Sequence, residues 1–131
     1  MFVDASALVA MLVSEEEAPS LFKRLEAAET RLTSAMAVWE ASVAVSRILH
    51  RSIKAAESEV NALLRLLEIE GVTVPASIAS GALDAFDRYG KGRHPAQLNF
   101  GDCFAYACAR HFGQPLLFKG DDFTRTDIEA A

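Results

Sequence analysis

The chain opens with MFVDASALVAMLV, residues 1–13, and this stretch already indicates the architecture. Residues 1–4 form a short apolar run that ends in an acid, and residues 5–13 repeat leucine and valine with helical spacing. We therefore predict a strand that leads directly into a helix. Parallel strands need such helical crossovers, so the same alternation should continue along the chain.

The rest of the sequence does alternate between strand and helix patterns. Further strands are predicted at residues 31–34, 72–74 and 115–118. Helices are predicted at 14–28, 37–51, 54–70, 78–89 and 100–111. We expect a capping box of Ser14 with Glu17, a helix end at Gly71, and inward-facing Leu83 and Phe86. Right-handed crossovers place helices on both faces, so we predict an α/β sandwich with a short, mostly parallel central sheet.

Length and composition favour one folded domain over residues 1–131. The chain has 131 residues, 51% of them hydrophobic, which is enough for a core without disulfides or a structural metal. Cys103 and Cys108 fit as small buried hydrophobic residues.

We expect no membrane span and no signal peptide, and hence a cytoplasmic protein. Because the net charge is −5, a nucleic-acid partner would need a local basic patch.

Four acidic positions stand out by their place in the predicted fold: Asp4, Glu40, Asp102 and the Asp121–Asp122 pair. Asp4 and Asp121 follow apolar strands, at the sheet edge where open α/β folds bind ligands. Glu40 lies in an apolar helical segment, where an unpartnered carboxylate is costly to bury. Asp102 lies in the first turn of a helix that Asn99 is expected to cap, at the positive end of the helix dipole.

If these acids converge, at least three carboxylates would lie within a few ångströms of one another. So many like charges need a counter-ion, and an all-oxygen set without Cys or His favours Mg²⁺ or Mn²⁺. The chemistry suited to such a site is hydrolysis of a phosphodiester by metal-activated water. We would then expect a 3′-hydroxyl and a 5′-phosphate as products, because no His or Lys pair is placed to use the ribose 2′-hydroxyl.

Each acid also has an ordinary structural role open to it. Asp4 could cap the following helix, and Asp102 could simply serve the helix dipole. The Asp121–Asp122 pair could form an Asx turn. Glu40 could pair with an arginine of its own helix hairpin, Arg47 or Arg51.

Three motifs and one isolated acid together resemble a known family. They are FVDASAL (2–8), Glu40, NFGDCFAYA (99–107) and LLFKGDDFTRTDI (116–128). In order, spacing and total length the chain resembles a PIN-domain toxin of the VapC type, and the resemblance spans the whole chain. It implies a PIN-like three-layer sandwich with helices on both faces of the sheet.

The resemblance also implies a function. Proteins of this type are Mg²⁺- or Mn²⁺-dependent endoribonucleases, the toxins of type II bacterial toxin–antitoxin pairs, and are usually homodimers that a cognate antitoxin silences. Asp4, Glu40 and Asp102 fall on the family's catalytic, metal-binding acids, and Ser6 matches its small hydroxyl residue. The family often places the fourth acid where this chain has Gly120. We therefore expect Asp121 to replace that acid, since it is nearer the strand end, with Asp122 supporting it.

An acidic protein that binds RNA needs basic side chains near its cleft. One group of candidates precedes Asp102 in the chain, and the other lies at the top of the predicted helix hairpin. They are Arg88, Lys91 and Arg93 in the first group and Arg47 and Arg51 in the second. We expect one or both groups to contact phosphates, although each residue could be an ordinary solvated charge. The hairpin, with Trp39, could instead contact a dimer partner or the antitoxin.

Two other functions share part of this pattern. A phosphotransfer receiver domain has a similar length, a parallel sheet, bound Mg²⁺ and a lysine that Lys119 could imitate. It requires an acid pair after the first strand, whereas Ala5 follows Asp4, and no Asp ends the strands predicted at 31–34 and 72–74. The second alternative, a PIN fold that has lost catalysis and only binds, stays open from the sequence.

Overall fold

Four short strands form one parallel sheet in the computed structural model, which describes residues 1–131. The strands are β1 (Phe2–Val3), β2 (Leu32–Ser34), β3 (Glu70–Val72) and β4 (Leu116–Leu117). Their order in the sheet is β3-β2-β1-β4. Because β1 is an inner strand, Asp4, which follows it, lies in the middle of the carboxyl edge of the sheet.

Six helices and one short 3₁₀ turn complete the fold. The helices are α1 (Ala5–Leu12), α2 (Ala18–Glu26), α3 (Ala35–Ile48), α4 (Ile53–Leu66), α5 (Ile78–Tyr89) and α6 (Phe100–His111). The 3₁₀ turn is Asp122–Arg125, after β4. Side-chain oxygens of Ser34, Ser52 and Asn99 cap α3, α4 and α6 by accepting backbone N–H bonds, as their positions favour.

The sheet separates two hydrophobic cores, so the fold is a three-layer sandwich. Successive residues of a strand point to opposite faces. Accordingly, Phe2 and Leu116 pack with α5 and α6, whereas Val3 and Leu117 pack with α1, α2, α3 and α4. This arrangement confirms the predicted α/β class with helices on both faces.

The predicted boundaries around the third strand were wrong. The strand is Glu70–Val72, two residues earlier than predicted, and Gly71 lies inside it instead of ending the preceding helix. That helix already stops at Leu66, and Glu68 turns the chain with a φ of 52°. A positive φ is uncommon for glutamate, so the sequence pattern gives no sign of a turn at this position.

The predicted capping box of Ser14 with Glu17 was also wrong. Ser14 has a φ of 56°, and α2 begins later, with Pro19 in its first turn. Glu17 occupies the N-cap position but makes no side-chain capping bond. A proline is well tolerated in the first turn, where the backbone N–H has no partner within the helix.

The apolar stripe of α5 differs from the predicted one. Leu83 is 69% exposed and Phe86 is 39% exposed, so neither is a core residue. The buried residues are Ile78, Ala82 and Ala85, which share one face of α5 against α6. Small alanines therefore form the contact face, and the larger apolar side chains lie outside it.

Cys103 and Cys108 are buried free thiols, as predicted. None of the helices combines the length and the apolar character that crossing a bilayer requires.

Gly90 permits the turn that leads from α5 towards α6. It is the C-cap of α5 and forms an isolated bridge with Leu98. A Cβ atom on Gly90 would lie 2.3 Å from the Phe86 carbonyl oxygen and 2.5 Å from its ring. Gly90→Ala should therefore lower the free energy of unfolding by about 1–3 kcal/mol, measured by urea denaturation.

Gly71→Ala is the matched control, because a Cβ atom there would have no neighbour within 4 Å. Equal urea midpoints for the two variants would contradict the close approach at Gly90.

Candidate active site

The carboxyl edge of the sheet opens into a cleft of about 510 Å³. Its lining includes five acids and two bases: Asp4, Glu15, Glu40, Asp102, Asp122, Arg47 and Lys119. Ser6, Asn99 and Trp39 also line it. The tertiary structure thus brings together three of the four acids expected at the centre of the site, and all three residues expected to support them, Ser6, Asn99 and Asp122.

Asp4 is held at the end of β1 by the first turn of α1. Its side chain belongs to a residue that is only 4% exposed, and Oδ2 accepts bonds from the Ser6 backbone N–H at 2.9 Å and the Ser6 hydroxyl at 2.5 Å. Ser6 Oγ in turn accepts the Lys119 backbone N–H at 3.0 Å. Asp4 is therefore the helix cap that position alone suggested, but both Ser6 bonds fall on one oxygen and its carboxylate still lines the cleft.

Asp102 is oriented by a capping box at the start of α6. Its Oδ2 accepts the Asn99 backbone N–H at 2.8 Å, and Asn99 Oδ1 accepts the Asp102 backbone N–H at 3.0 Å. As with Asp4, a structural cap fixes the carboxylate while leaving its other oxygen outside the capping bonds. A capping role is therefore compatible with a position on the cleft for both acids.

Glu40 reaches the cleft from α3 and rests on the backbone of α6. A Cβ atom on Gly101 would lie 2.2 Å from each Glu40 carboxylate oxygen, so only a glycine leaves this space free. The suggested pairing of Glu40 with an arginine of its hairpin was wrong: Arg51 pairs with Glu59, and Arg47 forms no ion pair. Glu40 thus has no cationic partner within the protein.

Burial and mutual repulsion make these carboxyls unusually basic. Burial is the main cause that raises the pKa of Asp4, and it raises the pKa of Glu40 to about 7 and that of Asp102 to about 6. The charge of Asp4 raises the pKa of both Glu40 and Asp102 further. Asp122 acts in the same way on Asp4 and Asp102. Ionising all of them therefore costs free energy that a cation in the cleft would offset.

The structure places Asp122, and not Asp121, on the cleft. The Asp121 backbone carbonyl accepts both the N–H and the hydroxyl of Thr124, at 3.1 and 2.6 Å, and so starts the 3₁₀ turn. Asp122 is the first residue of that turn, and its negative charge acts on Asp4 and Asp102. The sequence favours Asp121 as the fourth acid of the site, whereas the structure favours Asp122. Neither side chain makes the Asx-turn hydrogen bond that was the structural alternative.

The donor set of the cleft suits a hard divalent cation. All the carboxylates supply oxygen, the ligand type of Mg²⁺ and Mn²⁺, and no Cys or His lines the cleft. No three of these side chains are spaced to hold one ion directly. Mg²⁺ usually keeps several waters and takes only one or two carboxylates, so the fit rests on donor chemistry and charge, not on a preformed cage.

Only one of the five predicted RNA-binding side chains lines the cleft, and it is Arg47 on α3. Three others are held in ion pairs elsewhere on the surface: Arg88 with Asp127, Arg93 with Asp87 and Arg51 with Glu59. Lys91 forms no ion pair and lies off the cleft. The structure therefore does not bring the loop group of basic residues to the acids.

Two charged cleft residues were missed as candidates. Lys119 follows the apolar run that contains β4, and this position at the carboxyl edge of the sheet is the sequence signal that could have identified it. Glu15 lies in the loop between α1 and α2, and its Oε2 is 2.7 Å from Lys119 Nζ. Nothing in the sequence near Glu15 indicates this contact, because its partner comes from the opposite end of the chain.

Comparison with known proteins gives consistent matches along the full chain. A family model described as the PIN domain matches residues 1–129. Ribonuclease VapC30 of Mycobacterium tuberculosis is 42% identical over 128 residues, which cover 98% of this chain and 95% of the relative. Ribonuclease VapC of Mycolicibacterium smegmatis is 40% identical over 130 residues, covering 99% of this chain and 98% of the relative.

A solved structure shows the same fold. The crystal structure of Mycobacterium tuberculosis VapC20, described as a sarcin-ricin loop cleaving toxin, aligns with a TM-score of 0.75 and covers 99% of this chain and 97% of that chain. Its sequence is 20% identical, so this likeness concerns the fold alone.

The raised pKa of Glu40 predicts a pH-dependent loss of stability. The Glu40 carboxyl has a pKa of about 7 in the folded chain, against an ordinary value of 4.5. Between these two values the folded state keeps a proton that the unfolded state has lost, so the free energy of unfolding falls as pH rises. The stability lost through ionisation of Glu40 is complete above about pH 7 and absent below about pH 4. Glu40→Gln removes this loss, because glutamine does not ionise.

In EDTA, Glu40→Gln should therefore raise the free energy of unfolding by about 1 kcal/mol at about pH 8. The gain is no larger because Glu40 is only half-buried and solvent screens its charge. At about pH 4 the variant and the wild type should be equally stable. Urea denaturation at both pH values measures this, with the exposed Glu57→Gln as control. A gain of the same size at both pH values would show that charge is not the cause.

Proposed function

The chain belongs to the PIN domain family and, within it, to the VapC ribonucleases, and we propose that it is a metal-dependent endoribonuclease, the toxin of a type II toxin–antitoxin pair. The observation that carries this proposal is the convergence of Asp4, Glu40, Asp102 and Asp122 on one cleft at the carboxyl edge of the sheet. Such a cluster suits the binding of a divalent cation beside an RNA phosphate.

In this proposal Mg²⁺ or Mn²⁺ would bind among the four acids, with one or two carboxylates as direct ligands and the others acting through water. When bound, such an ion neutralises charge on a phosphate and makes a nearby water more acidic. The protein's own contribution is to hold its oxygens in place: Ser6 fixes Asp4, and Asn99 fixes Asp102. These hydrogen bonds are made before substrate arrives, so little reorganisation is needed during the reaction.

Glu40 is suited to accept a proton in the hydrolytic step. It lines the cleft and forms no hydrogen bond or ion pair with another side chain, so its carboxylate can accept a proton from a water there. No histidine lines the cleft and it contains a single lysine, Lys119, so no pair of His or Lys side chains is placed to use the ribose 2′-hydroxyl. The proposed reaction is therefore hydrolysis by water, with a 3′-hydroxyl and a 5′-phosphate as products and no cyclic phosphate.

Arg47 is the predicted RNA-binding residue with the best support, because it lines the cleft and has no acidic partner. The substrate of this proposed activity is RNA, and we place its action in the cytoplasm. Which RNA is cut depends on contacts that lie beyond the four acids.

We further propose a homodimer and a cognate antitoxin as protein partners. Large apolar side chains are exposed on two parts of the surface. Trp39 and Phe100, beside Glu40, are 67% and 71% exposed, and Leu66 on α4 is 78% exposed. An apolar groove of about 390 Å³ also lies between α5 and α6, with Leu83 and Phe104 in its wall. Exposed apolar surface of this kind is typical of protein contact sites.

The metal dependence and the acids are tested by RNA cleavage. We expect cleavage with Mg²⁺ or Mn²⁺, none with EDTA, and a loss of at least about 100-fold in Asp4→Asn and Asp102→Asn, because several kcal/mol of transition-state stabilisation is removed. Asparagine keeps a side-chain oxygen for each cap, so both variants should fold. Glu57→Gln, at an exposed position of α4 without an ion pair, is the control.

Cleavage in EDTA, or wild-type rates in both cleft variants, would overturn this mechanism. RNA binding by the wild type without any cleavage would instead favour a PIN fold that only binds.

Gly101 gives a second test, because it positions Glu40 without touching substrate itself. A Cβ atom on residue 101 would displace the Glu40 carboxylate, which is the end of a flexible side chain and can move at little cost. Gly101→Ala should therefore leave the unfolding temperature almost unchanged but lower kcat on the order of 100-fold, as a misplacement of about 1 Å commonly does.

Gly81→Ala on α5 is the matched control, since a Cβ atom there meets Ala107 at an ordinary 3.4 Å. A Gly101→Ala enzyme with normal kcat would mean that the position of Glu40 does not matter for the reaction.

A further inference from the structure

Lys119 is fixed beside the catalytic acids by its backbone. Its N–H donates to Ser6 Oγ at 3.0 Å, and the Ser6 hydroxyl donates to Asp4 Oδ2 at 2.5 Å. One hydroxyl therefore links the chain just after β4 to the carboxylate after β1. Lys119 follows β4 closely, and its side chain lines the same cleft as Asp4.

The ammonium group of Lys119 forms an ion pair with a partly exposed carboxylate, that of Glu15. Lys119 Nζ lies 2.7 Å from Glu15 Oε2, and the two side chains are 36% and 29% exposed. Glu15 raises the pKa of Lys119, so the ammonium stays charged. Water reaches both ends of this ion pair, and such pairs contribute little to stability. The pair can open at little cost.

The cleft as a whole is short of positive charge. Five acids line it against two bases, Lys119 and Arg47. An RNA strand that approaches the acids brings a phosphate at every nucleotide, and each phosphate favours contact with a cation. Lys119 is such a cation, and a phosphate could replace its present partner, the partly exposed carboxylate of Glu15.

We propose that Lys119 binds a backbone phosphate of the RNA next to the scissile bond, and that Glu15 competes with this phosphate for the ammonium group. The inference rests on the proposed ribonuclease function and adds a substrate-binding residue to it. Glu15 then limits how tightly the cleft holds RNA, because the strand must displace it. Arg47, without an acidic partner, carries no such cost.

A purely structural role for the pair makes the opposite prediction. If Lys119 and Glu15 only tether the loop between α1 and α2, removing either side chain breaks the same tether. Both variants would then change RNA binding in the same direction. If Lys119 binds phosphate, its removal weakens binding, whereas removal of the Glu15 charge strengthens it.

The experiment compares Lys119→Met, Lys119→Arg, Glu15→Gln and the double variant Glu15→Gln/Lys119→Met. The control variants are Lys23→Met and Glu57→Gln, which remove the same charges from exposed positions off the cleft. Affinity for a short fluorescein-labelled single-stranded RNA of mixed sequence is measured by anisotropy in EDTA at several salt concentrations. KM and kcat are measured on the same RNA in Mg²⁺.

We expect Lys119→Met to weaken binding about fivefold and to reduce the slope of log K against log salt by about 0.7, the value for one lost contact to a single strand. Lys119→Arg should keep both. Glu15→Gln should tighten binding about twofold, and this gain should vanish in the double variant. The changes should fall on KM more than on kcat.

Weaker binding in both single variants, with an unchanged salt slope, would overturn the inference in favour of the tether. A gain from Glu15→Gln that persists in the double variant would also overturn it, because Glu15 would then repel RNA by itself. These failures leave the proposed function intact as long as the wild type cleaves RNA. A wild type that neither binds nor cleaves RNA would remove the proposed function and this inference together.

Discussion

The repulsion among four carboxylates at the carboxyl edge of the sheet is the constraint on which the site depends. Asp4, Glu40, Asp102 and Asp122 line one cleft, and burial raises the pKa of the first three. A fold that used these acids only as helix caps would have no reason to bring four of them together. The cost of gathering them is tolerable where a divalent cation shares the cleft, and that requirement links the fold to the proposed chemistry.

The fold supports this cluster with a small number of local devices. Ser6 and Asn99 hold Asp4 and Asp102 through capping hydrogen bonds, and Gly101 leaves the space that the Glu40 carboxylate occupies. The two capping devices also have a structural purpose, because a helix start needs its free N–H groups satisfied. The hydrogen bonds that cap α1 and α6 are therefore the same ones that position Asp4 and Asp102, so substitutions at these residues should be judged on activity and stability separately.

The distribution of positive charge shows how an acidic protein could still bind RNA. The net charge is −5, and Arg88, Arg93 and Arg51 are held in ion pairs away from the cleft. The bases that line the cleft are Arg47, on the helix that follows β2, and Lys119, just after β4, and these two strands flank β1 in the sheet. Local charge next to the acids, and not overall charge, is thus the basis on which the proposed substrate would be held.

The sequence alone determined the α/β class, the existence and order of nearly all elements, and three of the four central acids, because these follow from local periodicity and from motifs of contiguous residues. The strand predicted from the sequence as β3 lies two residues too late, and Leu83, predicted to face the core, is exposed. Both errors arise because element boundaries and buried faces depend on which element packs opposite. Only the tertiary structure decided between Asp121 and Asp122 and revealed the contact of Glu15 with Lys119. The first choice depends on the direction in which a 3₁₀ turn leaves the sheet, and the second joins two segments from opposite ends of the chain, and neither is encoded in a local pattern.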